Sequence, residues 1–113
     1  MASVENLRIY KKALELVKKI YNLIKNNPSL GKDYSICDQV KRAGVSVVAN
    51  IAEGYFRSKK QSQNYLEIAS GSSNEVVSIL RIIDLVYAIN TTSLQDEYTI
   101  LGKQINSFSK SFN

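Results

Sequence analysis

The sequence predicts an all-α protein, an antiparallel up-down-up-down four-helix bundle, and three observations lead there. Four segments carry apolar residues at alternating steps of three and four, the spacing that lines one side of a helix. Polar, glycine- or proline-bearing breaks separate them at Asn27-Pro28 to Asp33, Gly54 to Ser58 and Asn90 to Ser93, short enough to fold each helix back along the one before it. No segment alternates apolar and polar residues one by one, as a half-buried strand would.

The first helix is expected over residues 4–26. Leu7, Tyr10, Leu14, Val17, Tyr21 and Ile24 form a heptad seam along it. A second apolar file, Ile9, Ala13, Leu16, Ile20 and Leu23, runs beside the seam, so this helix should touch two neighbours. The seam is expected to face the core, and the second file is the candidate for an outward patch between subunits. Asn27-Pro28 ends the helix, because proline disfavours the α conformation of the residue before it, and Gly31 completes the turn.

The second helix is expected over residues 34–56, capped by Asp33 or Ser35, with Gly54 permitting a bend near its end. Gln39, Arg42, Ser46, Asn50, Glu53 and Arg57 step along one side of it, while Ile36, Val40, Ala43, Val47 and Ile51 lie beside them. Val45, Val48, Ala49 and Ala52 leave little width for water, so the polar file is expected to be a buried seam whose groups pair with each other and with the next helix. Arg42 or Arg57 should meet Glu75 or Glu53, and Asn50 and Ser46 should bond Ser72 and nearby backbone.

The third helix is expected over residues 58–89, opened by the capping-box spacing of Ser58 and Gln61. Its seam is Tyr65, Ala69, Ser72, Val76, Ile79, Ile83 and Val86, thinned by Ser70 and Gly71 where another backbone can come close. The fourth is expected over residues 93–112, capped by Thr92 or Ser93, with Leu94, Tyr98, Leu101, Ile105, Phe108 and Phe112 in its seam.

At 113 residues with one composition throughout, the chain fits one domain over residues 1–113. No apolar run is long enough for a membrane span, and no secretory signal is visible, so the expected home is the cytoplasm. The lone Cys37 excludes an internal disulfide, and the absence of histidine removes the usual nitrogen and sulfur metal sites and the commonest general base. No cofactor is expected. Glu53 and Glu75 with Arg42 or Arg57 could be read as a catalytic set, but such groups more often satisfy each other, and an unpaired buried charge would cost several kcal/mol. The sequence therefore reads as non-enzymatic, with the seam of Arg42, Ser46, Asn50, Glu53, Arg57, Ser72 and Glu75 serving to fix how the helices sit.

A net charge of +5 favours contact with polyanions. Basic residues gather on the first helix as Arg8, Lys11, Lys12, Lys18, Lys19 and Lys25, and around the second turn as Lys41, Arg57, Lys59 and Lys60, interleaved with Tyr10, Tyr21, Tyr55 and Tyr65. Such a mix holds phosphates and stacks exposed bases. The same lysines around Glu15 also read as a solvated face with ion pairs.

Gln39-Val-Lys-Arg-Ala-Gly-Val-Ser46, Asn50-Ile-Ala-Glu-Gly54, Arg57, Tyr65-Leu-Glu-Ile-Ala-Ser-Gly-Ser72 and Glu75, together spanning about Leu7 to Ile89, form a specific combination. It resembles the bacterial four-helix bundle family that includes proteins encoded in intervening sequences of large-subunit ribosomal RNA genes, and the accessory protein of diversity-generating retroelements is similar in fold. The resemblance implies a homo-oligomeric ring, often a pentamer, without catalytic activity. It further implies binding of RNA or DNA, and a protein partner such as a reverse transcriptase. Carried over, the family's polar signature falls on Arg42, Ser46, Asn50, Glu53, Gly54, Arg57, Gly71, Ser72 and Glu75. Val48 stands where that family usually has proline, which should soften a kink in the second helix. The alternative is an oligomeric scaffold for protein partners whose lysines only keep it soluble.

Overall fold

The structure, a computed structural model, describes residues 4–55 and 57–111, with side chains from Leu7 onward. Five helices follow one another: α1 (Val4–Asn26), α2 (Pro28–Gly31), α3 (Tyr34–Glu53), α4 (Lys59–Tyr87) and α5 (Thr92–Lys110). No strand occurs among the described residues. The four long helices pack as a square in which α1 touches α3 and α5, and α4 touches α3 and α5. Backbone contact joins neither diagonal pair among the described residues. The molecule measures 44 × 19 × 19 Å, and its long dimension is that of α4, whose 29 residues rise about 44 Å.

Local chemistry sets the ends of each element. The Asp33 side chain accepts from the Ile36 amide and caps α3, while Ser58 and Gln61 form the capping box of α4. Proline at the first position of α2 turns the expected loop into one extra helical turn, with Leu30 buried against its neighbours. Helix α3 stops at Glu53, earlier than residue 56, because Gly54 caps it and Ser62 Oγ donates to the Gly54 carbonyl at 2.6 Å. Phe56 lies outside the described residues. Helix α4 ends at Tyr87, where Ala88 adopts a left-handed conformation (φ 53°), two residues short of the expected boundary. Helix α5 begins at Thr92 after Thr91, and stops at Lys110, so the expected seam residue Phe112 lies outside the described residues.

The turn before α5 is held by a side chain that the sequence reading passed over. Asp84 Oδ1 accepts from the Thr91 amide (3.0 Å) and hydroxyl (2.6 Å), and Oδ2 accepts from Gln95 Nε2 (2.8 Å). One carboxylate thus pins the end of α4 to the start of α5, where the helix has no side-chain cap of its own.

The core corrects the expectation for the first helix. Ile9, Ala13, Leu16 and Ile20, the second file, are fully buried, whereas Leu7, Leu14 and Tyr21 of the expected seam stand about half exposed. The reason lies in what flanks each file. Lys11, Lys18 and Lys25 sit on the same side of α1 as Leu7, Leu14 and Tyr21, so burying that file would have drawn three charges inward. The second file is therefore core and not the outward patch. Val40, Val47 and Ile51 of α3, Leu66, Val76, Leu80 and Ile83 of α4, and Tyr98, Leu101 and Ile105 of α5 complete the interior. Each such side chain contributes roughly 1.5–3 kcal/mol of transfer free energy.

Two close approaches shape the square. Between α1 and α3, a Cβ at Gly44 would lie 2.7 Å from Ile20 Cδ1 and 3.3 Å from the Tyr98 hydroxyl, so glycine admits both side chains there. Between α4 and α5, Ser70 Oγ donates to the Gly102 carbonyl (3.2 Å) while Ser73 Cβ sits where a Gly102 side chain would point. The expected thinning at Ser70 and Gly71 is thus made by Ser70 and Ser73, and Gly71 itself faces open space, with nothing within 4 Å of a Cβ placed on it.

Tyr98 is fully buried, and its hydroxyl has no hydrogen-bond partner among the described residues. Burial also pushes its ionisation far above the ordinary tyrosine value. Removing an unpartnered buried hydroxyl removes a desolvation penalty. Tyr98→Phe is expected to raise the free energy of unfolding by about 1 kcal/mol in urea denaturation. A loss of stability instead would show that the hydroxyl is bonded in solution.

Candidate nucleic-acid interface

The basic residues of α1 divide into two rows because helical spacing sends them to different sides. Lys12 and Lys19 point towards α5, where Lys12 Nζ lies 3.1 Å and Lys19 Nζ 2.9 Å from the Glu97 carboxylate. Glu15 stands between the two lysines on α1, 3.5 Å from Lys12 and 3.8 Å from Lys19. Glu97 was not singled out in the sequence, and it ties two of the expected phosphate-binding lysines into an interhelical ion network. The signal available was the seven-residue spacing of Lys12 and Lys19 around Glu15, which marks a common side but not the partner across the bundle.

Lys11, Lys18 and Lys25 form the other row. All three are exposed, they repeat every seven residues, and none takes part in an ion pair among the described residues. The row runs for about 21 Å along the outermost side of α1. Arg8 is exposed near its start. Lys41 of α3 is half-buried and lies over the Tyr21 ring at 4.9 Å, joining α3 to this side of α1. Lys59 and Lys60 stand exposed in the first turn of α4.

The α3 polar file makes the expected Ser46–Ser72, Asn50 and Arg57–Glu53 contacts, but its charged members are not buried. Ser46 Oγ and Ser72 Oγ are 2.9 Å apart, and Asn50 Nδ2 donates to the Ser46 carbonyl (2.8 Å) and hydroxyl (3.0 Å). These half-buried groups lie in the groove between α3 and α4. The charged members stay outside it. Arg42 is 80% exposed and pairs with Asp38 one turn earlier at 2.8 Å, not with Glu75. Arg57 donates to the Glu53 carboxylate (3.0 Å) and carbonyl (3.1 Å), and both side chains are about half exposed. Glu75 is exposed with no ion pair among the described residues. A dry seam of charges inside the subunit is therefore overturned: α3 is a corner of the square with its outer side open, and long side chains reach water from it.

Arg57 also lies over the Tyr65 ring, 5.9 Å from its centre, and with Gln61, Asn64 and Ile68 the two line an open cleft of about 300 Å³. Tyr10 packs on the core, so of the four interleaved tyrosines it is part of the interior edge, while Tyr21 is the most exposed. No cluster of three histidine, cysteine or carboxylate side chains with metal-holding geometry occurs among the described residues. Cys37 is buried, donates from Sγ to the Leu30 carbonyl at 3.1 Å, and has its thiol ionisation raised by that burial. No helix is long and apolar enough to cross a membrane among the described residues.

A family profile described as 23S rRNA-intervening sequence protein matches residues 5–111. Among solved structures, the chain is similar to a protein of unknown function from the S23 ribosomal protein family of Bacteroides thetaiotaomicron. The two share 27% identity with a TM-score of 0.85, over 95% of this chain and 99% of that one. Comparison with curated proteins finds no match.

The Lys19 hydrogen bond and the Lys12 contact hold the Glu97 carboxyl below the ordinary glutamate range, against a smaller opposing effect of burial. The hydrogen bond to Glu97 likewise raises Lys12 above its ordinary value. A carboxylate whose folded value is depressed stabilises the fold above its unfolded value and loses that contribution as pH falls through the folded one. Glu97→Gln is expected to cost about 1 kcal/mol at pH 7, discounted for the partial exposure of the lysines. The cost should shrink as pH falls below the ordinary glutamate range and on through the depressed folded value, where the native carboxyl takes up its own proton. Thermal melts of both proteins from neutral to acid pH check this, and a difference independent of pH would assign the effect to packing.

Proposed function

The chain belongs to the 23S rRNA-intervening sequence protein family, and from that premise we propose that it is a non-enzymatic, ring-forming helical bundle that binds nucleic acid through a basic surface. The observation that carries this reading is the exposed row of Lys11, Lys18 and Lys25, set apart from the paired Lys12 and Lys19. A solvated face that merely keeps a protein soluble mixes charges of both signs. This row instead presents one sign at regular spacing, and Lys59 and Lys60 add to the positive surface.

RNA is the first polyanion to test, because the family's description ties it to the setting of 23S rRNA. Contacts of this kind read the phosphate backbone and not the base sequence. The Arg57–Tyr65 cleft beside Lys59 and Lys60 offers a ring on which an unpaired base could stack. The ring is supported by the exposed apolar residues left on α1 and α4, for which the resemblance implies five copies. Of the two carboxylates that could be read as catalytic, Glu53 is engaged by Arg57, which supports a structural use, and Glu75 is exposed and paired with neither arginine among the described residues. The cytoplasm, which keeps a lone cysteine reduced, is the proposed location.

Binding to a fluorescent single-stranded RNA, followed by anisotropy across a salt series, tests the reading. Log affinity should fall with log salt by about 0.7 per phosphate contact. Lys11→Gln/Lys25→Gln should weaken binding for all sequences and reduce the slope by about 1.4. No binding at low salt, or binding insensitive to salt, would overturn it in favour of a scaffold that docks proteins.

A further inference from the structure

Six of the ten large apolar side chains that stand exposed among the described residues fall in two stripes. Leu7, Leu14 and Tyr21 occupy the shoulder of α1 that adjoins α3, and Ile68, Ile82 and Val86 occupy the shoulder of α4 that adjoins α3. Each shoulder repeats at seven-residue intervals, as Leu7, Leu14, Tyr21 on one and Ile68, Glu75, Ile82 on the other. Because α3 is the corner between α1 and α4, the two stripes lie on adjoining faces of the square, roughly at right angles.

We propose that these two faces bind each other between copies of this chain, head to tail, with the α1 stripe of one subunit seated on the α4 stripe of the next. The inference rests on the ring reading above and names the contact that would build it, which takes Lys18 and Tyr21 into the seam and leaves Lys11, Lys25, Lys59 and Lys60 to nucleic acid. Charge argues for the pairing: the α1 stripe is bordered by Lys11, Lys18 and Lys25, whereas the α4 stripe carries Glu75, exposed and without an ion pair among the described residues. Like faces would set lysine against lysine, and unlike faces set lysine against glutamate.

Register argues for it independently. Helices α1 and α4 run in the same direction, both antiparallel to α3. The Ser46–Ser72 bond and the packing of Gly44 against Val17 and Ile20 set the levels of all three. Gly44 lies two residues nearer the start of α3 than Ser46, so the midpoint of Val17 and Ile20 is level with Asn74, to within about one 1.5 Å step. A closed ring whose axis runs along the bundle has no rise from one copy to the next, so levels are kept across the contact. Lys18 then comes level with Ser73 and Asn74, about 2 Å from the level of Glu75, a gap that two long side chains span, and Leu14 comes level with Ala69 and Ser70, about 2 Å from the level of Gly71, where no atom lies within 4 Å of a Cβ position. Leu14 then sits between the levels of Ile68 and that opening. Faces at about a right angle close on roughly four or five copies, and α3 is turned towards the axis.

Thiol crosslinking of the full-length protein tests this, with buried Cys37 left in place. Leu14→Cys and Ile68→Cys are made separately, checked for helicity by circular dichroism, mixed in equal amounts and treated with a short bismaleimide. A crosslinked dimer is expected in the mixture and not with either variant alone. Glu75→Lys should weaken assembly on the order of tenfold in sedimentation, with recovery on adding Lys18→Glu. An oligomer that crosslinks through Leu14→Cys alone, or that ignores Glu75→Lys, would overturn this contact while leaving the ring. A wild-type protein that sediments as a monomer at micromolar concentration would overturn both.

Discussion

One short hydrogen bond sets the level of α3 on α4. Ser46 and Ser72 meet at 2.9 Å in the groove between the two helices, and Asn50 locks Ser46 from one turn away. Apolar packing alone tolerates a slide of one helix past another, whereas a half-buried hydroxyl pair is satisfied at a single setting. Glycine at position 44 then brings α3 against Ile20 and Val17, so the same setting passes to α1. The close approach of Ser70 and Ser73 to Gly102 passes it on to α5. Small residues at each crossing let backbones come near enough for polar atoms to decide the register.

Charge on α1 is divided between two tasks by geometry alone. Lysines at positions 12 and 19 are turned across the bundle to Glu97, where they tie the first helix to the last, which otherwise share a modest contact. Those at 11, 18 and 25 are left outward. Six positive charges on a 23-residue helix would repel one another if all were solvated on one side. Anchoring two of them to carboxylates relieves that repulsion and concentrates what remains into a single file.

Much of this architecture could be read before any coordinates. The helix starts at Asp33 and Ser58, the stop before Pro28 and the seam of Leu94, Tyr98, Leu101 and Ile105 all follow from local rules of capping, proline geometry and spacing. The choice between the two apolar files of α1 did not follow from spacing, because both fit a helix face equally. The lysines beside Leu14 held the answer. The Arg42 file was read as buried because its neighbours are small and apolar, yet composition does not say whether the surface that covers a helix belongs to its own chain. Glu97 and Asp84 stayed hidden for a plainer reason: Glu97 meets lysines 78 and 85 positions away, and no local pattern encodes such a meeting.

Cys37 sits near the start of α3, its sulfur sealed under α2 and bonded to the Leu30 carbonyl. Burial keeps its thiolate scarce, and the thiolate is the form that reacts. The residue consequently behaves as a latch whose chemistry is silent while the corner formed by α2 and α3 stays shut. Its rate of alkylation would time the breathing of that corner, separately from the unfolding of the rest of the molecule.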